Sequence, residues 1–267
     1  MSDKIKILGT RGSVSISGSE FVKYGGATTC AVVTLAGQSV VLDAGTGILK
    51  LPAAIAPETK TIPLIITHPH IDHMLGLPMC PKTFEEDFSF EVYMKTRGGL
   101  DAKAQLERFL APPLWPVGPD ALPAAFGFHE LTESFSIGKI KVTTMEGRHP
   151  GGVSMVRLEA DGKSVVFATD SIINSEMLPA FREFAASPDV LLIDGQYSPE
   201  EYAAHPDFGH NSWNAAAAIG LETGAKKTLV IHHNSSKTDK ELDALIPELR
   251  SVNPDCSPAF EGQEVIF

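Results

Sequence analysis

Six consecutive residues, His68-Pro69-His70-Ile71-Asp72-His73, hold three of the nine histidines of the chain together with a carboxylate. Neutral imidazole and carboxylate are donors suited to Zn²⁺, and also to Mn²⁺ or Fe²⁺. In an extended loop, His68 and His70 are two residues apart and their rings point to one side. Asp72 and His73 then turn the other way, where a helix is expected to begin at Met74-Leu75-Gly76. One loop can thus serve two metal ions. Further donors stand where apolar runs end: His149, Asp170, and the pair His232 and His233. Ligand sites in open α/β sheets favour the carboxyl ends of strands. Each of these residues is weak evidence alone, since a strand-end Asp commonly serves a turn. Together they make a two-metal site the better reading.

The elements that must position these donors follow from hydrophobic pattern. Strands are expected at Ile5–Leu8, Ala31–Leu35, Ser39–Leu42, Pro63–Thr67 and Glu91–Met94. A second series is expected at Lys139–Thr144, Val153–Leu158, Ser164–Ala168, Val190–Ile193 and Thr228–Ile231. Ala36-Gly37 and Asp161-Gly162 sit between paired runs and read as hairpin turns. Helical periodicity marks Leu100–Leu110, Leu178–Ala185, Trp213–Glu222 and Asp239–Leu249. The last opens on Thr238-Asp239-Lys240-Glu241, a capping box, and Ser212 is a plausible cap for the helix before it. The strand-rich halves, roughly residues 1–95 and 135–267, would each form one sheet of a single-domain sandwich. Between them, Ala111–Phe128 contains five prolines and no clear period, and reads as part of a lid-like insertion over about 100–130.

Composition narrows the function classes. With 267 residues, 43% of them hydrophobic, the chain can build a substantial core unaided. Its net charge of −11 argues against a non-specific nucleic-acid coater. Three isolated cysteines support neither a disulfide framework nor a cysteine-based zinc knuckle. The first residues lack a signal-peptide pattern and no apolar stretch approaches a membrane span, so a cytoplasmic location without membrane association is expected.

The H-x-H-x-D-H loop, followed in order by His149, Asp170 and a late histidine, closely resembles the metallo-β-lactamase fold superfamily of metal-dependent hydrolases. Leu8-Gly9-Thr10-Arg11-Gly12-Ser13 and Asp43-Ala44-Gly45-Thr46-Gly47 resemble it as well. The resemblance covers essentially the whole chain. It implies an α/β fold, a four-layer αβ/βα sandwich of two mixed sheets flanked by helices, with two divalent ions at one edge, Zn²⁺ foremost. Carried over, His68, His70 and His149 would hold one ion. Asp72, His73 and His232 would hold the other, with Asp170 shared. His232 is preferred over His233 because it is the first residue past Val230-Ile231; His233 would then stand behind the ligands or face the substrate. Asp43 would orient a histidine ligand, or merely cap its turn.

A shared Asp170 resembles ribonuclease Z and related phosphodiesterases more than the lactamases, and His70 stands where flavo-diiron proteins of this fold carry Glu. Gly209-His210-Asn211-Ser212 is similar to the G-H-S segment of the ribonuclease Z group, with Asn211 interposed. That similarity implies that His210 assists phosphate binding and protonates the leaving group, with Ser212 close by. The implied reaction is attack of a metal-activated hydroxide on phosphorus, Asp72 helping to orient it. The long basic arm of transfer-RNA-processing enzymes is replaced by the tight turn Asp161-Gly162-Lys163. A cyclic nucleotide, another small cyclic phosphodiester or a short oligonucleotide is therefore the expected substrate, and a large nucleic acid is not. Trp115 could stack on a base or simply anchor its loop. Arg148, Lys82, Lys95 and Arg97 are candidate phosphate contacts. Hydrolysis of a lactone, thioester or lactam, or ribonuclease Z-like endonuclease action, are the alternatives, and a homodimer is the default assembly.

Overall fold

The computed structural model describes residues 2–267. Fourteen strands and five α-helices are arranged in chain order as β1 (Lys4–Gly9), β2 (Cys30–Leu35), β3 (Gln38–Leu42), β4 (Thr61–Ile65), β5 (Ser89–Met94), α1 (Ala102–Phe109), β6 (Ala125–Glu130), β7 (Ser134–Ile137), β8 (Ile140–Gly147), β9 (Val153–Ala160), β10 (Lys163–Ala168), α2 (Leu178–Phe184), β11 (Val190–Asp194), α3 (Pro199–Ala204), α4 (Trp213–Glu222), β12 (Thr228–Ile231), α5 (Asp239–Val252), β13 (Cys256–Pro258) and β14 (Glu264–Ile266). They form two seven-stranded sheets, ordered β14-β1-β2-β3-β4-β5-β6 and β13-β12-β11-β10-β9-β8-β7. Each sheet is part antiparallel and part parallel. β3 through β6 run parallel in the first, and β10 through β13 in the second.

Alternation within the strands explains the layers. Val165 and Phe167 of β10 and Val190 and Leu192 of β11 face the other sheet, joining Val33, Leu42 and Ile65 in one buried cluster. Their neighbours Val166, Ala168, Leu191 and Ile193 turn outward against Phe181, Ala216 and Leu249 of α2, α4 and α5. Strands covered on both faces read as unbroken apolar runs, as these do. On the far side of the first sheet the cover is thinner. A 3-10 helix at Thr46–Ala53, interrupted by Pro52, and α1 lie over Val41, Leu64 and Val92. The two expected hairpin turns have positive φ at both residues, Ala36 and Gly37, and Asp161 and Gly162, the geometry that follows strand twist.

The 111–128 segment is anchored to the first sheet. Trp115 and Leu122 pack on the outer core of the first sheet, and β6 begins inside the segment, pairing with β5. The expected helix at Met74 is instead a pair of 3-10 turns, Ile71–His73 and Leu77–Met79.

Candidate metal centre

Parallel neighbours end at the same edge, so the exits of β3, β4, β10, β11 and β12 deliver Asp43, the His68 loop, Asp170, Asp194 and His232 to one place. Asp43, Asp170 and His232 all have positive φ, as does Ser13 on the loop after β1. A non-glycine residue in that region costs on the order of 1 kcal/mol or more and tends to persist where surrounding contacts dictate it. Here they do. Gly12 lies so close to His232 that a Cβ would run into its ring, and the Ser13 N–H donates to Asp72 Oδ2 at 2.8 Å.

The histidine nitrogens converge in two groups. His68 Nε2, His70 Nδ1 and His149 Nε2 lie 2.9 and 3.0 Å apart in sequence of contact. His73 Nε2 stands 3.3 Å from Asp72 Oδ2 and 3.4 Å from Asp170 Oδ2, while His232 Nε2 is 3.1 Å from both Asp72 Oδ2 and Asp170 Oδ1. Four ligands held tetrahedrally at about 2.0–2.1 Å have edges of roughly 3.3 Å, so these spacings match the outline of a coordination shell. The opposite ring nitrogens are held in place. His73 Nδ1 donates to Asp43 Oδ2 at 2.7 Å, His232 Nδ1 to Gln196 Oε1 at 2.8 Å, and His68 Nδ1 contacts Thr67 Oγ1 at 3.1 Å. Such partners fix the tautomer that turns Nε2 inward as a bare donor. His73 Nε2 is buried and makes no hydrogen bond of its own, as a nitrogen reserved for a metal would be. The residues fit two ions: His68, His70 and His149 for one, Asp72, His73 and His232 for the other. Asp170, with Oδ2 3.8 Å from both His68 and His149, reaches across.

Electrostatics differ between the groups. Burial lowers His68 and His70 below the ordinary histidine value and takes His149 to about 4, so this trio is neutral near pH 7. Burial also opposes charge on His73 and His232, but Asp170 and its neighbours outweigh it; His232 rises to about 9 and His73 is raised strongly. Asp72 and Asp170 are held below the usual carboxylate range by those histidines despite burial.

Asp194 was not legible as a site residue, although it too ends an apolar strand. It is fully buried, and its Oδ2 accepts from His210 Nδ1 at 2.8 Å, while Oδ1 accepts the Asn211 N–H at 2.9 Å. His210 stacks on His232 with ring centroids 4.9 Å apart and lines the metal cleft. Asn211 also donates to the Ser171 carbonyl and accepts from the Ile173 N–H, tying the loop after Asp170 to β11. A buried set of Asp170, Asp194, His210 and His232 donors also lies within metal-ligand reach. His210 and His232 turn their Nδ1 atoms to Asp194 and Gln196 as hydrogen-bond donors, so we read Asp194 as a support.

Other expected residues lie elsewhere. His233 turns away from the cleft: its Nε2 donates to the Ala259 carbonyl, its edge meets Tyr24, and burial lowers it to about 4. Its backbone instead holds Thr10 and Gly12. Ser212 caps α4, accepting from the Ala215 N–H. Trp115 lies outside the cleft, and the aromatic at the mouth is Phe208, 55% exposed. Lys82 pairs with Glu85, and Lys95 and Arg97 with Glu146. Arg148 lines a cavity beside the cleft.

A metallo-hydrolase frame with a histidine–aspartate centre is thereby defined, and comparison agrees. Residues 38–233 match the model of the "Beta-lactamase superfamily domain", and the chain belongs to that family. It has the metallo-β-lactamase fold and is similar in sequence to ribonuclease Z and in fold to a PhnP-family diphosphatase. Ribonuclease Z from Bradyrhizobium sp. (strain ORS 278) is 24% identical over 274 aligned positions, covering 84% of this chain and 88% of that protein. The metallo-β-lactamase fold protein YhfI from Bacillus subtilis superposes with a TM-score of 0.74 at 18% identity, over 99% of each chain. A diphosphatase of the PhnP family gives 0.70 at 17% identity, over 100% of this chain and 98% of that one. Among the described residues no helix is long and apolar enough to cross a membrane.

Proposed function

We propose that the protein is a dinuclear metal-dependent phosphodiesterase acting on a small or cyclic phosphodiester, with two Zn²⁺ ions as the first choice of cofactor. The observation that carries this reading is Asp170, a single buried carboxylate whose two oxygens approach both histidine groups. When bound, a pair of divalent ions there supplies an activated water and offsets charge developing on the phosphoryl oxygens. The similarity to ribonuclease Z and to a PhnP-family diphosphatase supports phosphorus over carbonyl as the centre attacked.

The residues of the chain do the remaining work. Asp72, fixed by the Ser13 N–H and His232, presents an ionised oxygen at the floor of the cleft that can orient the attacking water. His210 donates Nδ1–H to Asp194, which leaves its other nitrogen free to carry a proton to the departing oxygen. Phe208 and Pro150 line the cleft beside these groups.

The test is a metal count on purified protein with bis-p-nitrophenyl phosphate turnover measured with and without chelator. About two ions per chain and chelator-sensitive turnover are expected. Inert metal-loaded protein that instead cleaves nitrocefin or a thioester would reject the reading. His210→Ala is expected to lower turnover by about 100-fold with metal content intact, and a loss below about tenfold removes His210 from the mechanism.

A further inference from the structure

A cavity of about 420 Å³ opens beside the metal cleft and shares the wall formed by His149 and Pro150. Its outer side is the stretch that begins with α3. Tyr202 and Pro206 face the cavity, while Phe208, two residues on, faces the cleft, so this stretch partitions the two spaces. Phe208 is buttressed from behind. Its ring packs on His205 at 4.9 Å, His205 stacks on Tyr197 at 5.4 Å, and Tyr197 meets His210 edge-on at 5.6 Å. The His205 Nδ1 donates to the Glu201 carbonyl, which fixes the ring that supports Phe208. The partition between cleft and cavity is braced through these ring contacts.

The other walls are flat and apolar at Ile172 and Pro150, with polar edges. Asn174 uses its oxygen to accept the N–H groups of Glu176 and Met177, so its NH₂ is left as a donor. Charge is the discriminating feature. The one cation, Arg148, is paired with Glu176 at 2.8 Å, and Asp207 adds an acid with no second base. A second anionic group would meet a neutralised arginine and an unopposed carboxylate. A flat, uncharged ring with hydrogen-bonding edges meets surfaces matched to it.

We propose that this cavity receives the nucleoside of the substrate, its base laid between Tyr202 and the Ile172–Pro150 wall and its polar edge met by Asn174, and that it selects a nucleoside carrying one phosphodiester and no further phosphate. The proposal rests on the phosphodiesterase reading and narrows it towards cyclic nucleotides over oligonucleotides.

The experiment compares metal-loaded enzyme on methyl p-nitrophenyl phosphate, thymidine 5′-(p-nitrophenyl phosphate) and the same nucleoside ester bearing a 3′-phosphate. The wild type is expected to favour the plain nucleoside ester over both. Tyr202→Ala should cut its kcat/KM advantage over the methyl ester by about tenfold, mainly through KM, the scale of one base–aromatic contact. Asp207→Asn should narrow the penalty for the 3′-phosphate. Leu114→Ala, 83% exposed on the proline-rich loop, should leave all ratios unchanged. Ratios that survive Tyr202→Ala, or a 3′-phosphate that improves the substrate, overturn the pocket assignment alone. Absence of turnover on all three esters sinks the phosphodiesterase reading, and the pocket with it.

Discussion

His68, His70 and His149 meet with no carboxylate oxygen closer than 3.8 Å, whereas His73 and His232 each stand within 3.4 Å of both Asp72 and Asp170. The same edge of the fold thus carries a neutral nitrogen nest and an acidic one. In the first, burial keeps the rings uncharged and ready to bind. In the second, carboxylates draw protons onto the histidines until a cation displaces them. Asp170 is the point of exchange, and through Asp194 and Gln196 the acidic half is also joined to the residue proposed as proton donor.

Removing the shared group should do the most damage. Asp170→Asn is expected to lower bound metal in both halves and turnover by about 10³-fold, read by metal analysis and initial rates. If one ion stays at full occupancy, the carboxylate belongs to a single half.

Two glycines permit a matched test of each half. A Cβ on Gly12 would strike His232, and one on Gly209, which has a φ of +90°, would strike His149. Gly12→Ala should weaken metal binding in the acidic half, and Gly209→Ala in the histidine half, by about 10–100-fold each. Competition with a chromogenic chelator reads the two affinities. Equal loss from both halves in both variants would mean that the halves are not separable.

Protons sharpen the contrast further. The metal-free acidic half holds His232 protonated below about 9, so an ion must expel that proton, and its affinity should climb as pH rises towards 9. His149, lowered to about 4, is already neutral, so the histidine half should be nearly indifferent to pH from about 5 to 9. Calorimetry in buffers of different ionisation enthalpy would find proton release from one binding event and little from the other. Release from both, or from neither, contradicts the assignment.

The smallest effect is expected at Trp115. Half-buried on the outer core, its replacement by Ala should cost about 1–2 kcal/mol of stability, less than a fully buried aromatic, and change kcat/KM by less than about twofold. A larger kinetic effect would bring its loop back to the site.

Much of this site was legible because its donors are of rare type and sit at strand exits: the His68–His73 run, His149, Asp170 and His232 are all brought together. Asp194 was missed because a strand-end aspartate is common and no unusual residue adjoins it. Phe208 was missed because nothing local separates a ring that lines a cleft from any other loop phenylalanine. In the fold, long apolar strands were readable, but β6 follows a proline-rich stretch, β7 has only four residues, and β13 and β14 have three each. α3 did carry a signal, the capping box Ser198-Pro199-Glu200-Glu201.

β14 closes a sheet whose other strands all lie before residue 131: Lys4 pairs with Ile266 and Lys6 with Glu264. On the ribosome, therefore, β1 emerges long before its outer neighbour and must wait with an open edge, held only by β2. The Arg11–Ser13 turn that leans on Asp72 and His232 leads directly out of that strand. Assembly of the catalytic edge is in this way tied to a strand made after all the others of both sheets, so that a chain lacking β14 would fold with its first strand unclasped and its metal loops the first to fray.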